Sequence, residues 1–324
     1  MELTTSFCSL LEIKYPIVQA PIGGASTPEL VAAVSNAGAL GTLSITWRAI
    51  PDVTKLVQRL ARLTDRPFGV NAVLEWPQED RISLALQAGA RIVWTSWGDP
   101  IPYLSRIKSS GALSIHTVVS PDEAERLTAA GVDALVVQGV EAGGHVRGTM
   151  PWREHLAPVL DRVPDVPVLV AGGMATGRDI SAAFSAGATG VVLGTRFVCS
   201  SEAGAAPTYQ KAIVGAGEGD TVMTNLFDKG WPNSPHRVLR NSTVRMWESA
   251  GRPEPGARPG EHDQVAVRPD GMPVERYSIA LPTTDMRGNT EALALYAGES
   301  SARIHDVKPA AAIVDQLVRE VTES

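Results

Sequence analysis

Short apolar runs alternate with longer amphipathic segments along the first two thirds of the chain. Each run holds four or five mostly apolar residues, as a strand does when helices cover both faces of its sheet. The segments between the runs place apolar residues three and four positions apart, as an amphipathic helix does. The predicted strands are residues 16–20, 39–43, 68–71, 91–94, 112–116, 133–137, 166–170 and 189–193. The predicted helices are residues 30–36, 51–63, 79–88, 102–109, 121–130, 152–160 and 176–186.

Eight strand–helix units in a row predict an α/β protein with a parallel sheet. Eight is also the number of strands that closes such a sheet into a (β/α)8 TIM barrel. The rival architecture is a doubly wound open sheet, which usually has fewer strands and a single glycine-rich turn. Glycines follow the first, sixth, seventh and eighth predicted strands, and this distribution favours the barrel.

The pattern changes after about Gly215. Residues 220–286 are irregular and rich in Pro, Gly, Arg and Glu, and a structureless loop of this length is unusual inside a compact barrel. We therefore expect them to form an inserted lid or substrate domain that is partly helical, with its helix over residues 238–249. The barrel is predicted to comprise residues 1–219 and 287–324, with further helices at 290–296 and 309–321.

Composition excludes several classes of function. The net charge of −6 and the scarcity of aromatic residues give no sign of nucleic-acid binding. No apolar run approaches the ~18 residues of a membrane span, and the first residues do not resemble a signal peptide. Cys8 and Cys199 are too few for a disulfide framework and have no neighbours spaced like metal ligands. We expect a cytoplasmic enzyme without a metal site, and a homodimer on general grounds.

The most informative stretch is residues 136–145, where a buried strand runs into glycines and ends on His145. Glycine lets the backbone turn sharply and approach a ligand closely. A histidine on such a loop can exchange a proton near neutral pH. We therefore expect His145 to be the catalytic residue. Glu141, on the same loop, is expected to orient the loop through hydrogen bonds rather than to react.

Two further glycine sites follow the seventh and eighth predicted strands. The loops after these strands often bind a phosphate in barrel enzymes, and here they contain Ala171, Gly172 and Gly173, then Gly194 and Thr195. Backbone N–H groups next to a helix start favour an anion. The alternative is that these glycines merely end strands.

Polar residues at other predicted strand ends are less decisive. Asn71 and Gln138 carry amides that suit the edge of a heterocycle such as a flavin ring, but amides also satisfy loop backbone. His116 ends the fifth predicted strand, where a histidine is often part of the core. Trp94, Trp97 and Trp231 could line a pocket or simply be packed.

These motifs together resemble the nitronate monooxygenase family, also known as 2-nitropropane dioxygenase-like proteins, which are FMN-dependent barrels. The resemblance runs through residues 19–24, 35–41, 138–145, 171–174 and 193–197, and then through 224–227 and 296–300. Residues 244–284 carry none of its motifs. Ile22 and Glu299 stand where this family commonly has Met and Gln.

The resemblance implies an FMN across the barrel mouth and His145 as the base. The reaction would be oxidation of an alkyl nitronate, or of a nitroalkane, by O2 to a carbonyl compound and nitrite. His116 and Ser300 are expected to contact this small-molecule substrate. The residues expected to bind FMN are Ala20, Pro21, Ile22, Gly23, Asn71, Gln138, Gly143, Gly144, Ala171, Gly172, Gly173, Gly194 and Thr195.

Two other functions stay open. The first is an NAD(P)H-dependent FMN oxidoreductase that reduces quinones or enoyl thioesters. It needs a nicotinamide site, for which Arg237, Arg240, Arg245 and Arg258 of the inserted segment offer cations. The second is a flavin-binding barrel that senses or stores FMN without turnover.

Overall fold

The computed structural model describes residues 3–323 and contains a parallel barrel of eight strands. The strands in the described residues are β1 (Ile17–Gln19), β2 (Gly41–Ser44), β3 (Phe68–Val73), β4 (Ile92–Ser96), β5 (Leu113–Val118), β6 (Ala134–Gln138), β7 (Gly144–His145), β8 (Val168–Ala171), β9 (Gly190–Leu193), β10 (Thr221–Thr224), β11 (His236–Leu239), β12 (Gln264–Val267), β13 (Pro273–Glu275) and β14 (Arg287–Gly288). The barrel order is β1-β9-β8-β6-β5-β4-β3-β2. A parallel bridge between Val18 and Leu40 joins the two ends of this order, so the barrel prediction is confirmed over the open sheet.

Helices alternate with the barrel strands and cover them on the outside. The helices are α1 (Ser6–Leu11), α2 (Pro28–Asn36), α3 (Ile50–Leu63), α4 (Glu79–Gln87), α5 (Ile101–Ser109), α6 (Pro121–Ala130), α7 (Trp152–Arg162), α8 (Gly177–Ser185), α9 (Thr195–Val198), α10 (Pro207–Val214), α11 (Ser242–Ser249) and α12 (Ala310–Thr322). Their starts follow local chemistry: the Ser120 hydroxyl accepts a hydrogen bond from the Glu123 N–H, and Thr176 forms a capping box with Asp179.

The barrel interior is apolar and is closed below by α1, a helix that the sequence pattern does not reveal. Phe7 is fully buried and belongs to one apolar cluster with inward-facing residues of the strands, among them Val18, Trp94, Val136 and Val192. The N-terminal end of the barrel is therefore packed. Ligand access is left to the opposite end, where the strands stop.

The inserted segment (residues 220–286) contains more strand than helix. Strands β10, β11 and β7 form one antiparallel sheet, and β13, β12 and β14 form another. The helix predicted from residue 238 begins only at Ser242, because Val238 belongs to β11 and pairs with Val222. The helix predicted for residues 290–296 is wrong beyond a single 3₁₀ turn at Thr290–Ala292.

Both small sheets join the inserted segment to sequence outside it. Strand β7 comes from the loop after β6, and β14 comes from the part of the chain that follows residue 286. The division into a barrel (residues 1–219 and 287–324) and an inserted domain stays a prediction. Within residues 3–323, every helix is too short or too polar to cross a membrane.

The role of α1 can be tested with Phe7→Ala. We expect this change to lower the free energy of unfolding by about 3–5 kcal/mol, because it leaves a cavity under the barrel. Urea unfolding of the holoprotein measures the change. Ser9→Ala is the control, since Ser9 is exposed on the same helix and should change stability by less than about 0.5 kcal/mol. Equal effects of the two substitutions would show that α1 does not support the barrel.

Candidate active site

A cavity of about 800 Å³ opens at the C-terminal ends of the barrel strands. This volume lies toward the upper end of the ~300–1,000 Å³ typical of ligand sites. The structure brings nearly all of the predicted site residues together here. Those that line the cavity are Ala20, Pro21, Ile22, Gly23, Asn71, Gln138, Gly143, Gly144, His145, Ala171, Gly172, Gly173, Gly194, Thr195 and Ser300.

His145 is held by backbone pairing rather than by a free loop. Gly144 and His145 form strand β7, which pairs with Arg237 and His236 of β11. The Gln138 amide fixes the loop from the other side. It donates to the His145 carbonyl oxygen at 3.1 Å and accepts from the Arg147 N–H at 3.1 Å. Gln138 therefore satisfies loop backbone, which is one of the two roles expected for it.

The imidazole of His145 lies among aromatic rings. Its ring stacks on Trp231 at 4.2 Å between centroids, with His236 and Tyr296 each at 5.3 Å. Burial, reinforced by the neighbouring His236, lowers the pKa of His145 to about 3. Its Nε2 atom is buried and has no hydrogen-bond partner among the described residues. His145 is thus neutral near pH 7, and its Nε2 is left unpartnered beside the cavity.

His236 is a site residue that the sequence analysis does not identify. Its Nδ1 lies 2.8 Å from the Ser234 carbonyl oxygen, and its Nε2 accepts from the Phe227 N–H at 3.2 Å. These partners fix Nδ1 as the protonated nitrogen, and burial lowers the pKa of His236 to about 4. A neutral, immobile ring therefore stands beside His145. No local sequence pattern identifies His236, because its contact with His145 joins residues about 90 positions apart.

Glycines allow two loops to meet at the edge of the cavity. A Cβ on Gly143 would lie 2.3 Å from the backbone nitrogen of Gly298, closer than atoms can approach. The Gly298 N–H donates to the Thr195 hydroxyl at 3.0 Å. Glu141 contributes as expected, since its carboxylate accepts from the Trp152 N–H at 3.3 Å, and burial raises the pKa of this carboxyl.

The strand ends of β8 and β9 provide a cradle for an anion. Gly172 and Gly173 have φ values of +117° and +68°, which side-chain-bearing residues rarely adopt. Within the described residues, the N–H groups of Gly172, Gly173 and Gly194 have no hydrogen-bond partner in the protein. Donors that line a cavity without partners suit phosphate oxygens. These residues therefore fit the phosphate of a bound nucleotide.

Asn71 and Ser300, two further residues predicted for the site, also line the cavity. The Asn71 amide is buried and donates to the Trp94 carbonyl oxygen at 3.0 Å. Strand β3 continues to Val73, so Asn71 does not end the strand as predicted, but its side chain still lines the cavity. Ser300, expected to contact substrate, is also buried in the lining.

His116 is not brought to the cavity. Strand β5 extends to Val118, and Ile115 and Thr117 face the barrel interior, where Ile115 packs with the inner cluster and Thr117 accepts from the Trp94 indole N–H at 2.9 Å. Alternation along the strand turns His116 outward. There it is fully buried, with Nδ1 2.8 Å from the Thr95 hydroxyl.

The arginines considered for a nicotinamide site also lie away from the cavity lining. Arg237 donates to the Val140 carbonyl oxygen and pairs with a carboxylate at 3.1 Å. The pairs of the other three arginines, all with carboxylates, are Arg240–Glu248, Arg245–Glu291, Arg258–Asp228 and Arg258–Glu261. Arg237 thus fastens the inserted segment to the loop after β6, whereas the partners of Arg258 all lie within that segment. The cations that do line the cavity are Arg48, Arg59 and Arg268.

Unpartnered glycine N–H groups and a neutral histidine at the mouth of a closed barrel suit a flavin-dependent oxidoreductase that acts on small molecules. Comparison with known proteins agrees. The family model for nitronate monooxygenase matches residues 4–83 and 76–320. The chain belongs to the nitronate monooxygenase family.

The names of individual relatives describe more than one activity. The chain is 32% identical over 367 aligned positions to nitronate monooxygenase of Pseudomonas aeruginosa, covering 98% of this chain and 99% of that protein. It is 34% identical over 255 residues to (3aS,4S,5R,7aS)-5-hydroxy-7a-methyl-1-oxo-octahydro-1H-indene-4-carboxyl-CoA dehydrogenase of Mycobacterium tuberculosis, covering 78% and 70% of the two chains. The solved structure of FabK from Thermotoga maritima superposes on this chain with a TM-score of 0.85 at 32% sequence identity. The match covers 99% of this chain and 96% of FabK.

The anion cradle is tested by Gly172→Ala. A methyl group there meets the Ala142 backbone nitrogen at 3.0 Å and strains a residue at positive φ, so we expect flavin affinity to fall about tenfold or more. Equilibrium dialysis measures the flavin affinity of each variant. Gly89→Ala is the matched control, because Gly89 has φ +105° but open space around its Cβ. Equal flavin affinity in both variants would contradict the assignment of the cradle.

Proposed function

We propose that this protein is an FMN-dependent monooxygenase that oxidises alkyl nitronates with O2 to carbonyl compounds and nitrite. The observation that carries the proposal is the position of His145, whose unpartnered Nε2 is buried beside a cavity with a phosphate cradle. Membership of the family and the relative from Pseudomonas aeruginosa support it. FMN is the proposed flavin because one cradle, formed at β8 and β9, suits a nucleotide with a single phosphate.

The chain's own residues would bind and orient the substrate. A bound flavin would supply the redox chemistry between the nitronate and O2. His145, neutral in the free site, can take a proton when an anion lies beside it, since a neighbouring negative charge raises the pKa of an imidazole. The resulting imidazolium would hold the anion in place.

The low pKa of His145 also distinguishes two forms of the substrate. A base with a pKa of about 3 draws a proton from carbon less effectively than one whose pKa lies near the working pH. We therefore propose that the preformed nitronate is the better substrate and that the neutral nitroalkane reacts more slowly. His145 then acts mainly by holding the anion.

His145→Ala tests the proposal directly. We expect kcat/KM for ethyl nitronate, followed by O2 consumption and nitrite release, to fall about 10²- to 10⁴-fold, while the protein keeps its flavin absorbance. His262→Ala is the control, since His262 is exposed in the inserted segment and should keep full activity. Unchanged turnover in His145→Ala would refute the role of His145.

The pH dependence gives a second test. Because burial lowers the pKa of His145 to about 3, the group stays neutral from about pH 5 upward. The kcat/KM for neutral nitroethane should therefore show no loss of activity on acidification through about pH 6.5, where an ordinary histidine would protonate. A loss centred near pH 6.5 in the wild type, absent in His145→Ala, would show that His145 titrates normally.

A second candidate function is an NAD(P)H-dependent FMN oxidoreductase that acts on quinones or thioesters. The relative from Mycobacterium tuberculosis, a carboxyl-CoA dehydrogenase, favours it. Of the three arginines that line the cavity, Arg59 is paired with Glu29 and Arg48 donates to backbone carbonyl oxygens. Arg268 is the cation we propose for a phosphorylated ligand. Aerobic oxidation of NADH or NADPH that rises on adding a quinone or an enoyl-CoA would support this candidate, and no oxidation of either would remove it.

We also propose a cytoplasmic homodimer. Cys8 and Cys199 are both buried and unpaired, as is usual in a reducing compartment, and twofold dimers are the commonest assemblies of soluble enzymes. Light scattering of the eluted holoprotein measures its mass; a single-chain mass would refute the dimer.

A further inference from the structure

Four tryptophans from four separate connections meet beside His145. Trp231 lies in the inserted segment, is 3% exposed and stacks on the His145 ring. Trp97 and Trp76 pack against Trp231 at 4.7 and 5.0 Å between ring centroids, and Trp47 lies 6.3 Å from it. We call these four residues the tryptophan wall.

The tryptophan wall runs from His145 to solvent. Trp231, Trp97 and Trp47 all line the cavity. Trp47 is 49% exposed, so the outer end of the wall is open to a ligand in the cavity. A short aliphatic nitronate would reach only the inner end, at Trp231. The outer rings therefore offer contact surface that such a substrate leaves unused.

The backbone is strained at Trp97, one of the four tryptophans. Trp97 has φ +61°, a strained conformation for a bulky residue. The next residue, Gly98, also has positive φ, and a Cβ there would lie 2.4 Å from the Leu74 carbonyl oxygen. Strain of this kind is concentrated at functional sites. The turn after β4 is thus shaped to direct an indole onto the wall.

The wall suits an apolar ligand rather than a cation. Its rings pack against one another in edge-to-face and tilted contacts, so they form a continuous surface instead of a cage around a charge. The neighbouring guanidinium of Arg48 faces the Gly24 and Ser26 carbonyl oxygens, at 3.4 and 3.3 Å. The ligand portion that contacts the wall should be uncharged and flat.

We propose that the tryptophan wall binds the apolar, ring-bearing body of the substrate, so that the enzyme selects nitronates carrying an aromatic or alicyclic group over short aliphatic ones. This inference rests on the proposed function in one respect only, namely that the reacting group is a nitronate. The wall fixes the body of the substrate, and His145 meets its charged end.

The test compares the nitronates of nitroethane and of (2-nitroethyl)benzene. We expect wild-type kcat/KM to favour the phenyl compound by at least about tenfold, Trp47→Ala to lose most of this preference, and Trp47→Phe to keep much of it. Ile50→Ala is the control, because Ile50 is 42% exposed three residues further on and lies outside the cavity lining. It should keep the preference.

A binding measurement separates this inference from the proposed function. Propanoate and 3-phenylpropanoate have the shapes of the two nitronates but cannot be oxidised in the same way, and their affinity is read from the change in flavin absorbance. Tighter binding of 3-phenylpropanoate, lost in Trp47→Ala, would support the wall even if neither nitronate is turned over. Equal affinities, or a Trp47→Ala protein that is less heat-stable but equally selective, would show that the wall only packs the inserted segment.

Discussion

The site depends on the antiparallel pairing of Gly144–His145 with β11. In most barrel enzymes the loop after a strand is free to vary, but here two residues of it become a strand of a small sheet. This pairing places His145 between the barrel and the inserted segment. It also brings His236 and Trp231 against the imidazole ring. The close approach of Gly143 to Gly298 also holds this loop in place.

This packing determines the electrostatics of His145. Rings and backbone surround the imidazole, while Arg237 is occupied by the Val140 carbonyl oxygen and by Glu299. Desolvation then keeps His145 neutral. A neutral histidine in an apolar setting gains a proton readily only when an anion is bound nearby. The proposed function uses this site for an anionic reacting group attached to an apolar body and leaves the glycine N–H groups near Gly172 for the cofactor.

Much of the barrel could be predicted from sequence because its signals are local. The apolar runs, the cap at Thr176 and the glycine–histidine loop each lie within a few residues. The rest depends on contacts between distant positions. Trp47 and Trp231 are far apart in the chain, and no local pattern shows that they meet. His116, predicted to end its strand, lies outside the cavity lining because the strand continues two residues beyond it and alternation turns its side chain outward.

The most direct test of the central claim is an anaerobic visible spectrum of the purified holoprotein, taken before and after addition of an alkyl nitronate. A yellow protein whose flavin absorbance is lost on adding nitronate, and regained when O2 is admitted with release of nitrite, is the result predicted. A flavin absorbance unaffected by nitronate but bleached by NADPH or NADH would contradict nitronate oxidation. A protein that binds no flavin at all, even with added FMN, would contradict the assignment of the cavity itself.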